Sequence, residues 1–221
     1  MLKADFHLHT SEDKVDHISY SAEELIDAMA SLGYKVIAIT HHERLFYNDS
    51  LAGYAMQKGI LLIPGAEYNV EGKHVLVLNT RKQEISTFDE LRELKKNENV
   101  FVIAPHPYYP KRTSLLGKLK KNIGLFDAIE YSHLYFKGFN WFNNIAKKAA
   151  KEHDLPLIGN SDCHRFSQLD HTYTLIDSKQ DTDDVIKALK KRRFKVETRP
   201  LKLRNFARTG LRSIKHIFSK H

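Results

Sequence analysis

Residues 21–42 read SAEELIDAMASLGYKVIAITHH, and their pattern decides the fold class. Ser21 followed by Glu24 is a capping box, so a helix is predicted over 21–32. Gly33 supplies the left-handed stop, and the apolar run 36–39 is a short strand that ends on two histidines. The same grammar repeats outward. Strands are predicted over 2–8, 60–63, 74–78, 100–104, 128–131, 155–158, 172–176 and 194–196. Helices are predicted over 49–58, 87–96, 139–153 and 181–191. Alternation of this kind implies βαβ units, a mostly parallel sheet and an α/β fold. In one uninterrupted chain it favours a single-domain barrel over two small open sheets. Neither G-x-G-x-x-G nor a P-loop lysine occurs, which weighs against a nucleotide-cofactor fold.

Histidine outnumbers glycine, 13 against 10 in 221 residues, although glycine alone averages roughly 7% of ordinary sequences. At 42% apolar and 28% charged the chain can bury a sizeable core. Cys163 is the single cysteine, which excludes an intrachain disulfide and a multi-cysteine zinc site. The start, MLKADFHLHT, lacks the apolar core of a signal peptide, and no apolar run approaches ~18 residues. A cytoplasmic protein without a transmembrane segment is expected. The formal charge of +8 is uneven: residues 187–221 carry +12 and the first 186 carry −4. Leu203, Phe206, Leu211, Ile214 and Phe218 recur at helical spacing between Arg204, Arg208, Arg212 and Lys215. This predicts a basic amphipathic C-terminal helix or tail over 201–221, docked beneath the barrel, lying on anionic lipid or holding a partner.

The histidines fall at strand ends. His7 and His9 close the first strand, His41 and His42 the second, and Glu67 follows the third through Pro64-Gly65-Ala66. His106 follows VFVIA, His133 follows IEY, and Asp162 and His164 follow the strand at 155–158. In a parallel barrel all these positions share the C-terminal rim, where barrel active sites lie. Imidazoles and carboxylates converging there are ligands for Zn, Fe or Mn, and a carboxylate can bridge two ions. The i, i+2 spacing of His7 with His9, and of Asp162 with His164, points each pair to one side of an extended chain. His74, within HVLVL, is open between a metal ligand, a donor behind the ligands and a satisfied core histidine.

DFHLHT (5–10), AITHH (38–42), PGAE (64–67), APHP (104–107) and GNSDCH (159–164) resemble, in order, the motifs of the PHP superfamily, the polymerase-and-histidinol-phosphatase domain. The resemblance spans residues 1–200. It implies a distorted (β/α)7 TIM-like barrel that carries two or three divalent ions and hydrolyses phosphoesters. Carried over residue by residue, it sets His7, His9, Glu67 and Asp162 around one ion. Glu67 bridges to a second, held also by His106 and His133, while His17, His42 and His164 hold the third. The family's usual T-D-H is Thr40-His41-His42 here, so a histidine replaces an acid. Between the first two motifs Asp13, Asp16 and His17 can each supply a ligand, and the segment HISYS (17–21) favours His17.

The implied reaction is attack by a metal-bridging hydroxide on phosphorus, with charge offset by two ions. His41 or a water would protonate the leaving oxygen. Arg165, next to His164, is the first choice for a phosphate partner, ahead of Arg44, Lys111 and Arg112. The expected substrate is a phosphorylated small molecule or nucleotide. The alternatives are a 5′–3′ exonuclease or 3′,5′-bisphosphate nucleotide phosphatase, and a non-catalytic, metal-stabilised interaction module. Oligomeric state is left open by the sequence.

Overall fold

The computed structural model describes residues 1–202. The expected amphipathic segment, from Leu203 onward, lies outside the described residues. The first half of the chain runs β1 (Leu2–Leu8), α1 (Ala22–Ser31), β2 (Val36–Ile39), α2 (Asp49–Gln57), β3 (Leu61–Leu62), β4 (Gly65–Val70), β5 (Lys73–Leu78) and α3 (Phe88–Asn97). It continues through β6 (Phe101–Ala104), α4 (Gly117–Lys121), β7 (Ala128–Ser132), α5 (Trp141–Glu152), β8 (Leu157–Asn160), β9 (Thr172–Ile176), α6 (Thr182–Lys190) and β10 (Phe194–Thr198). Both predicted capping boxes form. The Ser21 side chain accepts from the Glu24 amide while the Glu24 carboxylate accepts from the Ser21 amide, and Thr87 and Glu90 do the same at α3. Among the described residues no helix is long and apolar enough to cross a membrane.

The expected TIM-like barrel does not form. The strands make two five-stranded sheets, ordered β10-β9-β1-β2-β3 and β4-β5-β6-β7-β8. Only β1-β2-β3 and β6-β7-β8 pair in parallel; β4-β5-β6 and β1-β9-β10 are antiparallel. Strand β4 was not foreseen. It returns into β5 through Glu71-Gly72, where both residues have positive φ (48° and 78°), the signature of a two-residue hairpin turn. Between β1 and β8 a lone bridge, Leu8 to Cys163, replaces a ladder. Side chains occupy that seam instead: Phe6 N–H donates to Asn160 Oδ1 (3.0 Å) and Ser161 N–H to the Asp5 carboxylate (3.1 Å). These bonds take the backbone donors that a closing ladder would need.

The apolar residues sort into layers. Ala4, Phe6, Val36, Ala38, Leu76, Leu78, Phe101, Ile103 and Ala128 come from both sheets and share one core with α6. The intervening residues pack outward, Ile37 and Ile39 with α1 and α2, and Val75, Val77, Val102 and Ile129 with α3 and α5. The two sheets thus face each other across a common core. One irregularity matters for the site. The β1 register slips between Asp5 and Leu8. Phe6 joins the shared core below, and His7 and His9 still aim into the space between the sheets, as a β-bulge permits.

The seam is tight at Gly159. A Cβ there would sit 2.8 Å from both the Tyr173 carbonyl oxygen and Val196 Cγ1. Gly159→Ala is therefore expected to cost about 1–3 kcal/mol through overpacking. A thermal melt of the variant should show a Tm lower than that of the wild type, and an unchanged Tm would contradict the packing described here.

Candidate metal centre

Glu67 is the hub. It is buried, and its two carboxylate oxygens face five histidines. Oε2 lies 3.3 Å from His7 Nε2, 3.6 Å from His9 Nε2 and 3.1 Å from His42 Nε2. Oε1 lies 2.8 Å from His74 Nδ1 and 3.2 Å from His106 Nε2. Asp162 adds a second carboxylate, with Oδ1 at 3.4 Å from His7 Nε2, 3.6 Å from His9 Nε2 and 3.5 Å from His164 Nδ1. These atoms fall into overlapping triplets, each spanning at most 4.8 Å: His7, His106 and Asp162; His7, His9 and Glu67; His9, Asp13 and His42; His9, Asp162 and His164; His42, Glu67 and His74.

The local structure explains the convergence. Strand alternation turns Thr40 and His42 inward with Val36 and Ala38. His106 and Asp162, just past β6 and β8, both hold left-handed backbone (φ 28° and 45°). Such conformations in residues with a Cβ are uncommon and cluster at functional sites. Glu130, in the middle of β7, anchors three partners at once. Its carboxylate accepts from His7 Nδ1 (2.8 Å), the His106 backbone N–H (2.7 Å) and Asn160 Nδ2 (3.0 Å).

This donor set fits divalent ions. His7 donates Nδ1–H to Glu130, while His9 and His42 donate theirs to Asp13, at 2.9 and 2.8 Å. Each ring then presents an Nε2 lone pair to Glu67 or Asp162. Carboxylate-backed imidazoles of this kind are the usual support of metal ligands. The buried Nε2 atoms of His7 and His9 have no hydrogen-bond partner, so the atoms that face the carboxylates are free to ligate.

The electrostatics agree. Burial alone would raise Glu67, yet the His74, His7 and His42 rings hold it well below the ordinary carboxylate range. Burial would likewise raise Asp162, and His7 and Lys111 hold it well below. Burial would lower His7, but Glu67, Asp162 and Glu130 raise it well above the usual imidazole value. His42 behaves alike, lifted to about 9 by Glu67 and Asp13 against its burial. His9, buried and beside His42, is pushed down to about 3. The buried carboxylates demand positive charge, and divalent ions can supply it with release of protons from the ligands.

Not every expected residue joins the cluster. His7, His9, His42, Glu67, His106, Asp162 and His164 come together. His17 is exposed and takes no part in the triplets; its neighbour Asp16 pairs with His164 Nε2 at 2.7 Å and faces His42 Nδ1 at 3.7 Å. The alternation that turns His42 inward turns His41 outward, where it stacks on Phe46 at 4.4 Å and meets Thr10 Oγ1 at 2.8 Å. His133 is buried and in contact with Gln168, 3.1 Å away. Arg165 is half-buried at the start of a short 3-10 turn, Phe166–Gln168. Lys111 instead reaches the cluster, 3.7 Å from Asp162 Oδ2. Glu130 went unremarked in the sequence. The signal was there, as a lone acid inside the apolar strand AIEY, which burial makes costly unless it is paired.

Asp13 holds two rings at once, so Asp13→Asn should weaken metal binding by ~10–100-fold while leaving the fold intact. Competition with a calibrated chelator would measure this. Undiminished affinity would show that the rings do not depend on their support.

Among curated proteins the sequence finds no match. A family model described as PHP-associated matches residues 140–194. Among solved structures, PsfC from Pseudomonas syringae PB-5123 is similar at 15% identity over 100% of this chain and 99% of its own, with a TM-score of 0.65. A protein from Bifidobacterium adolescentis, assigned as a metal-dependent phosphoesterase, matches at 15% identity and TM-score 0.57 over 91% of this chain and 98% of its own. A lesion-specific endonuclease from Pyrococcus furiosus matches at 16% identity and TM-score 0.54, over 88% of this chain but 57% of its own. An amidohydrolase from Chromobacterium violaceum, solved with bound sulfate and no metal, matches at 13% identity and TM-score 0.55 over 93% and 96%. These likenesses show a shared fold. The PHP-associated match at 140–194 is consistent with the resemblance of the five motifs around Glu67 to the PHP superfamily.

Proposed function

We propose that the protein is a metal-dependent hydrolase of the PHP and amidohydrolase type, and that its substrates are phosphoesters. The observation that carries this reading is Glu67, whose two oxygens each address a separate set of histidines, as a carboxylate bridging two ions does. Asp162 and the Asp13-backed rings complete a pocket of anionic and imidazole ligands suited to Zn, Mn or Fe. Bound ions supply Lewis acidity and a nucleophile drawn from water.

The chain's own residues do the rest. Lys111 is an ammonium poised beside Asp162 at the mouth of the centre, and Asp162, Glu67 and Asp16 keep it charged against the effect of burial. It can hold a phosphoryl oxygen through a charge-assisted hydrogen bond. Glu130 and Asp13 fix the rings of His7, His9 and His42, so the ligands are preorganised and need not rearrange during the reaction. Arg165 remains a second candidate for the phosphate.

A nucleic-acid or nucleotide substrate is the second reading, favoured by the likeness to the lesion-specific endonuclease. The test is a panel on the full chain loaded with Zn or Mn: p-nitrophenyl phosphate, nucleotide monophosphates and bisphosphates, 5′-phosphorylated oligonucleotides and an N-acyl amino acid. Turnover of one or more phosphoesters is expected. Hydrolysis of the amide alone would refute the phosphoester reading. Full metal loading with no turnover of any compound would favour the interaction module.

A further inference from the structure

Three of the clustered rings, His9, His42 and His164, lean on one loop, residues 10–20. We propose that His41 is a positioning residue: a polar chain from His41 through Thr10 to Glu12 fixes that loop, and with it Asp13, against the end of β2. This rests on the metal-dependent reading above and goes one step further.

The first ground is what the loop carries. It lies between β1 and α1 and is neither helix nor strand. Yet Asp13 Oδ2 accepts from His9 Nδ1, His42 Nδ1 and the His42 backbone N–H, at 2.9, 2.8 and 3.0 Å. Asp16 meets His164 Nε2 at 2.7 Å. An irregular segment that orients imidazoles so closely needs anchors of its own.

The second ground is the anchor. His41 and Thr10 are fully buried. His41 Nε2 lies 2.8 Å from Thr10 Oγ1, which lies 2.5 Å from Glu12 Oε2. The Asp13 backbone N–H donates to the Thr10 carbonyl at 2.9 Å, so holding Thr10 holds Asp13. At the far end Glu12 Oε1 accepts the Ala22 N–H at 3.2 Å, a donor that the first turn of α1 leaves unpaired. The chain thus ties β2, the loop and α1 together. Phe46 stacks on the His41 ring, and the buried Nδ1 has no hydrogen-bond partner. Thr10 is therefore the ring's one hydrogen-bond partner among the described residues.

The third ground is polarity. Thr10 has a single hydroxyl proton, and the Glu12 carboxylate can only accept it. The oxygen lone pairs are then left for His41, so Nε2 carries the hydrogen and donates. The chain runs one way, from His41 to Glu12. An acid at position 41, which the T-D-H motif usually has, would set two carboxylates against one proton. His41 and Glu12 therefore belong together as donor and final acceptor.

The experiment titrates the full chain with Co(II) against a calibrated chelator. Glutamine and glutamate share a shape and differ in whether they can donate. His41→Gln should hold cobalt within about twofold of wild type, and His41→Glu should weaken it by ~10-fold or more. Adding Glu12→Gln to His41→Glu reverses every bond: the amide at position 12 donates to Thr10, and Thr10 donates to the carboxylate at position 41. That double variant should recover the lost affinity, which a role in packing alone would not produce. Thr10→Val cuts the chain without touching a charge and should match the loss in His41→Glu. Placed on Asp13→Asn, Thr10→Val should cost nothing further, because the chain acts through Asp13. Equal affinity in His41→Gln and His41→Glu, no recovery in the double variant, full affinity in Thr10→Val, or a further loss on Asp13→Asn would each overturn the assignment while leaving a metal centre in place. A wild type that binds no divalent ion would overturn the metal-dependent reading, and this assignment with it.

Discussion

Replacing Glu67 with glutamine is expected to disable the centre more completely than any other single substitution. The carboxylate meets five histidines through two oxygens, and the amide offers one acceptor and one donor in their place. A neutral NH2 group turned toward ring lone pairs also removes the charge that balances a divalent ion. Loss of ion-derived stabilisation worth several kcal/mol corresponds to a fall in turnover of ~10³-fold or more. The loss should accompany a drop in metal content, read by elemental analysis on protein whose circular dichroism matches wild type. Glu67→Gln that keeps its full complement of metal and its turnover would show that the carboxylate does not bridge ions.

Stripping the metal should be the largest perturbation of stability. His7, His9 and His42 come from β1 and from just beyond β2, in one sheet, whereas Glu67 and His74 come from β4 and β5 in the other. Ions held by both sets fasten the two sheets where a lone bridge, His42 to Glu67, joins them. An ion at a free concentration a hundredfold above its Kd stabilises the native state by about 2.7 kcal/mol, so two such ions contribute roughly 5 kcal/mol. For a domain of this size each kcal/mol moves Tm by about 2–4 °C, which puts the expected fall on chelation at roughly 10–20 °C. Calorimetry before chelation, after it, and after restoring Zn or Mn would measure the shift, and restoration should reverse it. An apo protein that melts with the holo protein would mean that the cluster does not hold ions in the folded state.

Much of this centre could be read from the chain because β1, β2, β6 and β8 run in parallel and end at it. The rule that chemistry sits beyond the carboxyl ends of parallel strands points to His7, His9, His42, His106, Asp162 and His164, which the fold gathers around Glu67. It failed where the chain departs from that polarity. His74 opens an antiparallel strand, so it stands at the start of its apolar run and not at the end. The β4–β5 hairpin escaped for a related reason. GAEYNV alternates with Ala66, Tyr68 and Val70 packed outward, but from the sequence its first residues read as the loop that delivers Glu67. Closure of the barrel was the larger miss. Counting strands says nothing about whether the first and last parallel strands exchange a full ladder of backbone bonds, and here Asp5 and Asn160 intercept all but the Leu8–Cys163 bridge. His17 and His41 show the limit of residue type as a guide, since one ring lies in solvent and the other on the outer face.

The slip in β1 has a consequence for how this strand can change over time. An ordinary strand keeps one phase from end to end, so a residue that faces the core fixes the facing of every second residue after it. The bulge between Asp5 and Leu8 resets that phase once. It lets a greasy half and a metal-facing half share the short stretch from Leu2 to His9. Removal or insertion of one residue in this stretch would rotate either Phe6 or the His7–His9 pair by half a turn. Exchange of one side chain for another leaves the phase untouched. The strand is thus free to vary in composition and constrained in count, the reverse of a surface loop, and its length is as much a part of the functional signature as its histidines.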